Sequence, residues 1–367
     1  MRGEGLLALC LGFSLLAGCG RTTDPIDDRA LVLGVAADAA GRDEIKYTLE
    51  IPSPQSLSGS SGGGNDFYLA TAAAKSFDGA ISRMEDRTSR DIYLGQMHVL
   101  ILALDLPARL RDRLLQEEQR IGETDHTEWL VLAAGKAANL LKPPPLQERL
   151  PAFFYSTHFN CRGCQAVDFG MPAWRAEADL AAPGGVAVLP VAKAEDGSIA
   201  IDRVAALRRG KPPVLFTPDE TLAVMALRGK LGKGSFEVPT AFGEASVRSM
   251  EAGVTRRAAV GRDRRLHVLV RVRYKGFVAQ RPELVQHMTP AALGAMRQGL
   301  ASYLRRHLLA AIGRAQRDGV DAFYFGQALY LADPEAYHSL GDFSRAFQRA
   351  VVKLEVQVDL PEQGITV

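Results

Sequence analysis

Leu16-Ala17-Gly18-Cys19 divides this chain into a leader and a part that has to fold. These residues close an apolar run from Leu6 to Ala17 that follows a short start carrying Arg2. A charged start, a brief apolar stretch and small residues at its end are the layout of a secretory signal. The run is too short to span a bilayer as a helix, which takes about 20 apolar residues. Glu4 is the one departure, an acid where such starts carry positive charge. Residues 1–18 are expected to be removed, leaving a chain that begins at Cys19 outside the cytoplasm. What remains of the 367 residues is long enough for about two or three domains.

Ala17-Gly18 followed directly by a cysteine resembles the bacterial lipobox. There the thiol takes a diacylglycerol and the chain is cut just before it, so Cys19 is the expected lipid attachment site. Two acyl chains give stable membrane attachment where one is marginal. No later segment is long and apolar enough to cross a bilayer. A net charge of +2 carries no strong field toward nucleic acid.

Residues 19–28 read as a polar tether. Ala30–Ala37 then reads as a buried strand with Glu44–Ile51 as its hairpin partner, and Pro52–Gly64 as a flexible Gly/Ser loop. A helix is expected over Ser76–Thr88, with Ser76 capping it and Phe77, Ala80, Ile81 and Met84 on one face. Ile92–Leu104 reads as one strand, Pro107 opens a helix bearing Leu110 and Leu114, and Thr127–Ala134 is a further strand. Strands alternating with helices predict an α/β (α+β) class.

Residues 146–182 lack clear periodicity, and Pro183-Gly184-Gly185 reads as a boundary. Short strands follow at 199–207 and 214–216. Pro218–Arg228 is predicted as a helix, capped by Thr217 with Glu220 at the capping-box position. In Leu266–Lys275 apolar and polar residues alternate. Thr289-Pro290 starts the longest helix, with Leu293, Met296, Leu300, Leu304, Leu308 and Ile312 on one stripe. Val352–Leu360 alternates again. Both strands are expected in one sheet against that stripe, with Arg271, Arg273 and Lys275 facing outward beside Glu355 and Asp359. The domain division read this way is 29–182, a small middle unit over 183–250, and 251–367.

Of four cysteines, Cys10 leaves with the leader and Cys19 is assigned to lipid. Cys161 and Cys164 remain for redox or metal chemistry. With His158 they could hold a metal, but no second ligand pair supplies a fourth position. A disulfide suits an oxidising compartment, and free thiols remain an alternative. Gly59-Ser60-Ser61-Gly62-Gly63 matches a hydrolase elbow but sits in a linker. Gly229–Ser235 has the wrong spacing for a phosphate loop and reads as a turn. Phe323, Phe325 and Tyr330 read as core. No cofactor or catalytic group is indicated.

Five stretches in order behind the lipobox resemble the C-subunit lipoproteins of spore germinant receptors, the Ger(x)C family. They are Asp28–Asp38, Tyr93–Val99, Trp129–Gly135, Leu215–Thr221, and Asp321–Tyr330 with Asp333-Pro334. Gly20-Arg21 stands where that family has Trp-Asp, and the Cys161–Cys164 insert is not a family feature. The resemblance implies an elongated, three-domain protein without enzymatic activity. It implies a lipid-anchored subunit on the outer face of the inner spore membrane, with polytopic receptor subunits as partners. The competing reading is an extracytoplasmic solute-binding lipoprotein of a transporter, which would have two similar doubly wound lobes and a hinge.

Overall fold

A computed structural model describes residues 28–53, 65–142, 148–161, 167–231, 235–240, 243–280 and 289–361. The leader, Cys19, most of the tether and the Gly/Ser loop lie outside them, so the expectations placed there are not addressed by the fold.

The N-terminal unit is an eight-stranded mixed sheet. The chain enters with β1 (Arg29–Leu31), which pairs in parallel with residues 91–93 as a separate two-stranded sheet, and β2 (Gly34–Ala39), which belongs to the large sheet, where one strand was expected. The break falls at Val32 and Leu33, whose amides turn to Tyr93 and Glu50 carbonyls at 2.9 and 3.0 Å. β3 (Ile45–Pro52) is the antiparallel partner of β2, and β4 (Phe67–Ala74) adds an edge. Next comes α1 (Phe77–Glu85), where Ser76 Oγ accepts from Gly79 N and Phe77, Ala80 and Met84 are buried as expected. Ile92–Leu104 divides into β5 (Asp91–Tyr93) and β6 (Val99–Ala103). The chain turns at Gly95, where a Cβ would stand 2.4 Å from the Tyr93 hydroxyl. α2 (Ala108–Glu118) and β7 (Trp129–Ala133) follow, and β2, β6 and β7 run parallel at the centre.

Residues 146–182 hold two helices, α3 (Pro151–Asn160) and α4 (Ala173–Ala181). Phe153, Phe154, Tyr155 and Phe159 are spread around α3, and Phe153 falls on the side of the exposed Thr157 and Asn160, so no clean period marks the helix. In α4 the buried side is Ala173, Ala176, Asp179 and Leu180, an apolar stripe interrupted by an acid. Both therefore escape a pattern search.

β8 (Ala187–Glu195), β9 (Ser198–Leu207) and β10 (Val214–Leu215) complete the same sheet, in the order β10-β9-β8-β7-β6-β2-β3-β4. The large sheet thus runs across the expected boundary at 182/183. α5 (Pro218–Arg228) has the capping box, with Thr217 and Glu220 each bonded to the other's backbone. Gly229 closes it in the left-handed region at φ 73°.

The C-terminal unit is a four-stranded sheet, β11 (Ser235–Thr240), β12 (Gly243–Val260), β13 (Leu266–Gln280) and β14 (Val351–Asp359) in sequential order. β12 crosses the expected boundary at 250/251. β13 and β14 pair in parallel with Val270 opposite Leu354 and Arg271 opposite Glu355. Against them lies α6 (Pro290–Asp318), whose six stripe residues are all buried. α7 (Phe325–Ala332), α8 (Pro334–Ser339) and α9 (Phe343–Gln348) fill the return to β14. Phe323 and Phe325 are core, but Tyr330 is 36% exposed. It stands outside the Phe323–Phe325–Phe347 cluster, edge-on to Tyr337 instead.

Glu50 on β3 lies wholly buried beneath the start of α3, where both its oxygens accept from Ala152 N at 3.2 and 3.0 Å. Burial pushes its carboxyl up to about 8, against the opposing effect of that amide. Between the ordinary carboxylate value and about 8 the folded chain holds a proton that the unfolded chain has released. Stability from this group is then greatest at low pH and falls as pH rises through that window, by at most about 1.4 kcal/mol per unit. Glu50→Gln should flatten this slope, so its stability relative to the parent should rise from pH 5 to pH 8. Denaturant melts at both pH values check it, and an unchanged difference would refute it.

Candidate functional site

The turn after α6 carries a set of buried charged and hydrogen-bonded groups that links the two units. Gly319 ends α6 in the left-handed region at φ 64°. Asp321 is 5% exposed, and its carboxylate accepts from Phe323 N at 3.1 Å and Gly326 N at 2.7 Å. Burial raises its carboxyl above the usual range while those amides pull it down. Tyr324 adopts φ 63°, an unusual conformation for an aromatic residue. Its ring is thereby turned away from the Phe323–Phe325 core toward the N-terminal unit.

There the Tyr324 hydroxyl donates to Asp179 Oδ2 on α4 at 2.9 Å. Arg228, at the end of α5, lies over the Tyr324 ring at 4.1 Å and bonds Asp179 Oδ2 and Ala322 O, each at 3.0 Å. Arg175 Nε reaches Asp179 Oδ1 at 3.2 Å. Arg256 on β12 donates to the Leu227 carbonyl. Burial, and then the neighbouring Arg228, lower the pKa of Arg256. Asp179 and Arg228 are 5% and 3% exposed at their side chains, so this is a desolvated network, not a surface pair.

Backbones meet beside it. A Cβ on Gly326 would stand 3.2 Å from the Gly184 Cα and 2.9 Å from the Phe343 ring. Gly184, at φ 97°, donates its N–H to the Tyr337 hydroxyl at 3.0 Å. The Pro183-Gly184-Gly185 segment expected as a boundary is thus a contact point between units. Arg208 adds a tie, bonding Gly319 O at 3.0 Å and Ser344 Oγ at 2.5 Å.

A cleft of about 380 Å³ opens next to this network, lined among others by Trp129, Phe159, Trp174, Arg175, Arg228 and Tyr324. Its cations are engaged: Arg175 and Arg228 with Asp179, and Lys230 with Asp168 at 2.6 Å. α3 brings Phe159 to the cleft and ends at Cys161, which is disulfide-bonded. Cys164 lies outside the described residues. His158 packs among Phe154 and Phe159, and burial lowers its pKa.

Arg271, Arg273 and Lys275 face outward, and Arg271 Nε bonds Glu355 at 2.7 Å. Ser156 Oγ sits 2.8 Å from Nδ1 of His98, the residue just before β6. Among the described residues no carboxylate bonds that imidazole, whose lowered pKa is due to burial alone, so the pair lacks the third group of a hydrolase. Glu118, His126 and Glu128 bring potential metal ligands to within 4.8 Å of one another. No spacing motif marks them in the sequence.

A family model described as the spore germination protein N-terminal domain matches residues 23–194. A second, described as spore germination B3/GerAC like, C-terminal, matches residues 204–364. No curated protein matches the sequence. The crystal structure of the GerBC protein is similar in fold, with a TM-score of 0.59 at 15% identity, covering 89% of this chain and 96% of that one. Of the stretches that resemble the family, Asp321–Tyr330 supplies Asp321 and Tyr324 to the joint between the N- and C-terminal units. The chain belongs to the C-subunit family of spore germinant receptors.

Proposed function

We propose that this protein acts in spore germination as a non-catalytic subunit of a germinant receptor, lipid-anchored through Cys19 and docked to polytopic membrane subunits. The supporting observation is that the family signature is spent on packing: Asp321 orders its own turn and Tyr324 bonds Asp179 across the junction. Such a joint suits a protein that transmits or organises a signal through contacts.

The anchor rests on Leu16-Ala17-Gly18-Cys19, and no helix among the described residues is long and apolar enough to cross a membrane. The Cys161–Cys164 disulfide is part of this reading, as a clasp on the loop after α3. The two larger sheets, of eight and four strands, are unlike each other, which speaks against a solute binder with two similar lobes.

Replacing Cys19 with Ala should release the protein from spore membranes and end its co-purification with polytopic receptor subunits. Membrane fractionation and mass spectrometry of tagged protein check both. A Cys19→Ala protein still bound to membranes would refute the anchor, and wild-type protein recovered from solubilised membranes without those subunits would refute the docking.

A further inference from the structure

We propose that Glu118, His126 and Glu128 form a binding site for a divalent transition-metal cation of the zinc class, held by two carboxylates and one imidazole. Glu118 is the last residue of α2, Glu128 immediately precedes β7, and His126 stands between them at φ 53°. The loop that presents them is pinned from the other side. His126 O accepts from Trp174 N at 3.0 Å and Glu128 O from Ala173 N at 2.9 Å.

Both glutamates are 3% exposed, and His126 Nδ1 lies 2.6 Å from Glu118 Oε1 and 3.1 Å from Thr124 Oγ1. Glu128 Oε1 is buried with no hydrogen-bond partner among the described residues. Two adjacent buried carboxylates are costly to keep charged. Burial, and then Glu118 beside it, push the Glu128 carboxyl up to about 8. Glu177 on α4 adds a third negative charge, engaged with Arg209 at 2.5 Å. A dication would neutralise the two glutamates and give Glu128 Oε1 its missing partner.

The chemistry fits the donors. Imidazole nitrogen and carboxylate oxygen are ordinary zinc ligands at about 2.0–2.2 Å, which sets ligand atoms about 3.4 Å apart in a tetrahedron. Donors already within 4.8 Å need to close in by at most about 1.4 Å, while the short Glu118–His126 contact opens. The imidazole side chain is 30% exposed, leaving a path for the ion and a position for water. A bound cation would staple the end of α2 to the start of β7 through the loop between them, near the rim of the cleft.

The protein's two tryptophans, Trp129 and Trp174, flank this loop and report on it. Titrating the metal-stripped full chain with Zn²⁺ should give a saturable change in tryptophan fluorescence at one equivalent. Co²⁺ in its place should show a visible spectrum without thiolate charge transfer, which separates this site from Cys161 and Cys164. Glu128→Gln, which puts a neutral amide of the same shape where burial favours the protonated carboxyl, should melt no lower than the parent yet bind at least about tenfold more weakly. His126→Asn, which tolerates the left-handed backbone, should also weaken binding and decides the matter if Glu128→Gln does not fold. No saturable binding by the parent, or equal binding by the folded variants, would overturn the proposal. In that case Glu128 is simply a protonated acid beside Glu118.

Discussion

Asp179→Ala should destabilise the protein by about 3–5 kcal/mol, because it leaves Arg228 buried and without its charged partner. Tyr324 would lose the acceptor for its hydroxyl, and Arg175 its ion pair. The effect should appear in denaturant melts followed at Trp129 and Trp174, of which Trp174 sits on α4 with Asp179. Replacing both members with apolar residues, Asp179→Leu with Arg228→Met, should recover much of the loss, since desolvated pairs contribute little net stability against good packing. A loss below about 1 kcal/mol for Asp179→Ala would mean that water reaches the network, as it does surface pairs.

Leu300→Ala should cost about 2–4 kcal/mol through lost burial and a residual cavity. Leu300 is fully buried on the stripe of α6 that covers β13 and β14. Arg271→Glu, one strand layer away but outward-facing, should cost less than about 1 kcal/mol. Arg271 and Glu355 are 51% and 39% exposed at their side chains, so their attraction is screened by solvent. Thermal or urea melts of the two variants rank them. A larger loss for Arg271→Glu would put the apolar face of the sheet on the wrong side.

The elements legible in the sequence are those where one face is apolar and the other polar. α5 announces itself by Thr217-Pro218 and Glu220, and α6 by six buried stripe residues between a Thr-Pro start and Gly319. β13 and β14 alternate cleanly because their outer face meets water. Where both sides are covered, or one side is small and mixed, the period disappears. α3 is hidden by aromatic residues, and β12 by the run of Ala, Gly, Ser and Arg over 243–260. Domain boundaries were illegible for a different reason: β8–β10 add to a sheet begun over a hundred residues earlier, and pairing across such distance leaves no local trace.

The junction was legible by half. Asp321–Tyr330 stands out through the family resemblance, but its partners Asp179 and Arg228 are 145 and 96 residues from Tyr324. One signal was available, an acid at 179 on the stripe with Ala173, Ala176 and Leu180. A charge on a buried face implies a buried partner. Glu118, His126 and Glu128 left no signal, because the left-handed turn at His126, not regular spacing, brings them together.

The most direct test of the receptor-subunit account is the germination of spores lacking this protein. Germination should be scored against each nutrient and against a stimulus that bypasses receptors. The account predicts a lost or slowed response to the nutrients of its receptor, restored by the wild-type gene, with the bypass route unchanged. Deletion spores that answer every nutrient at the parental rate would contradict it.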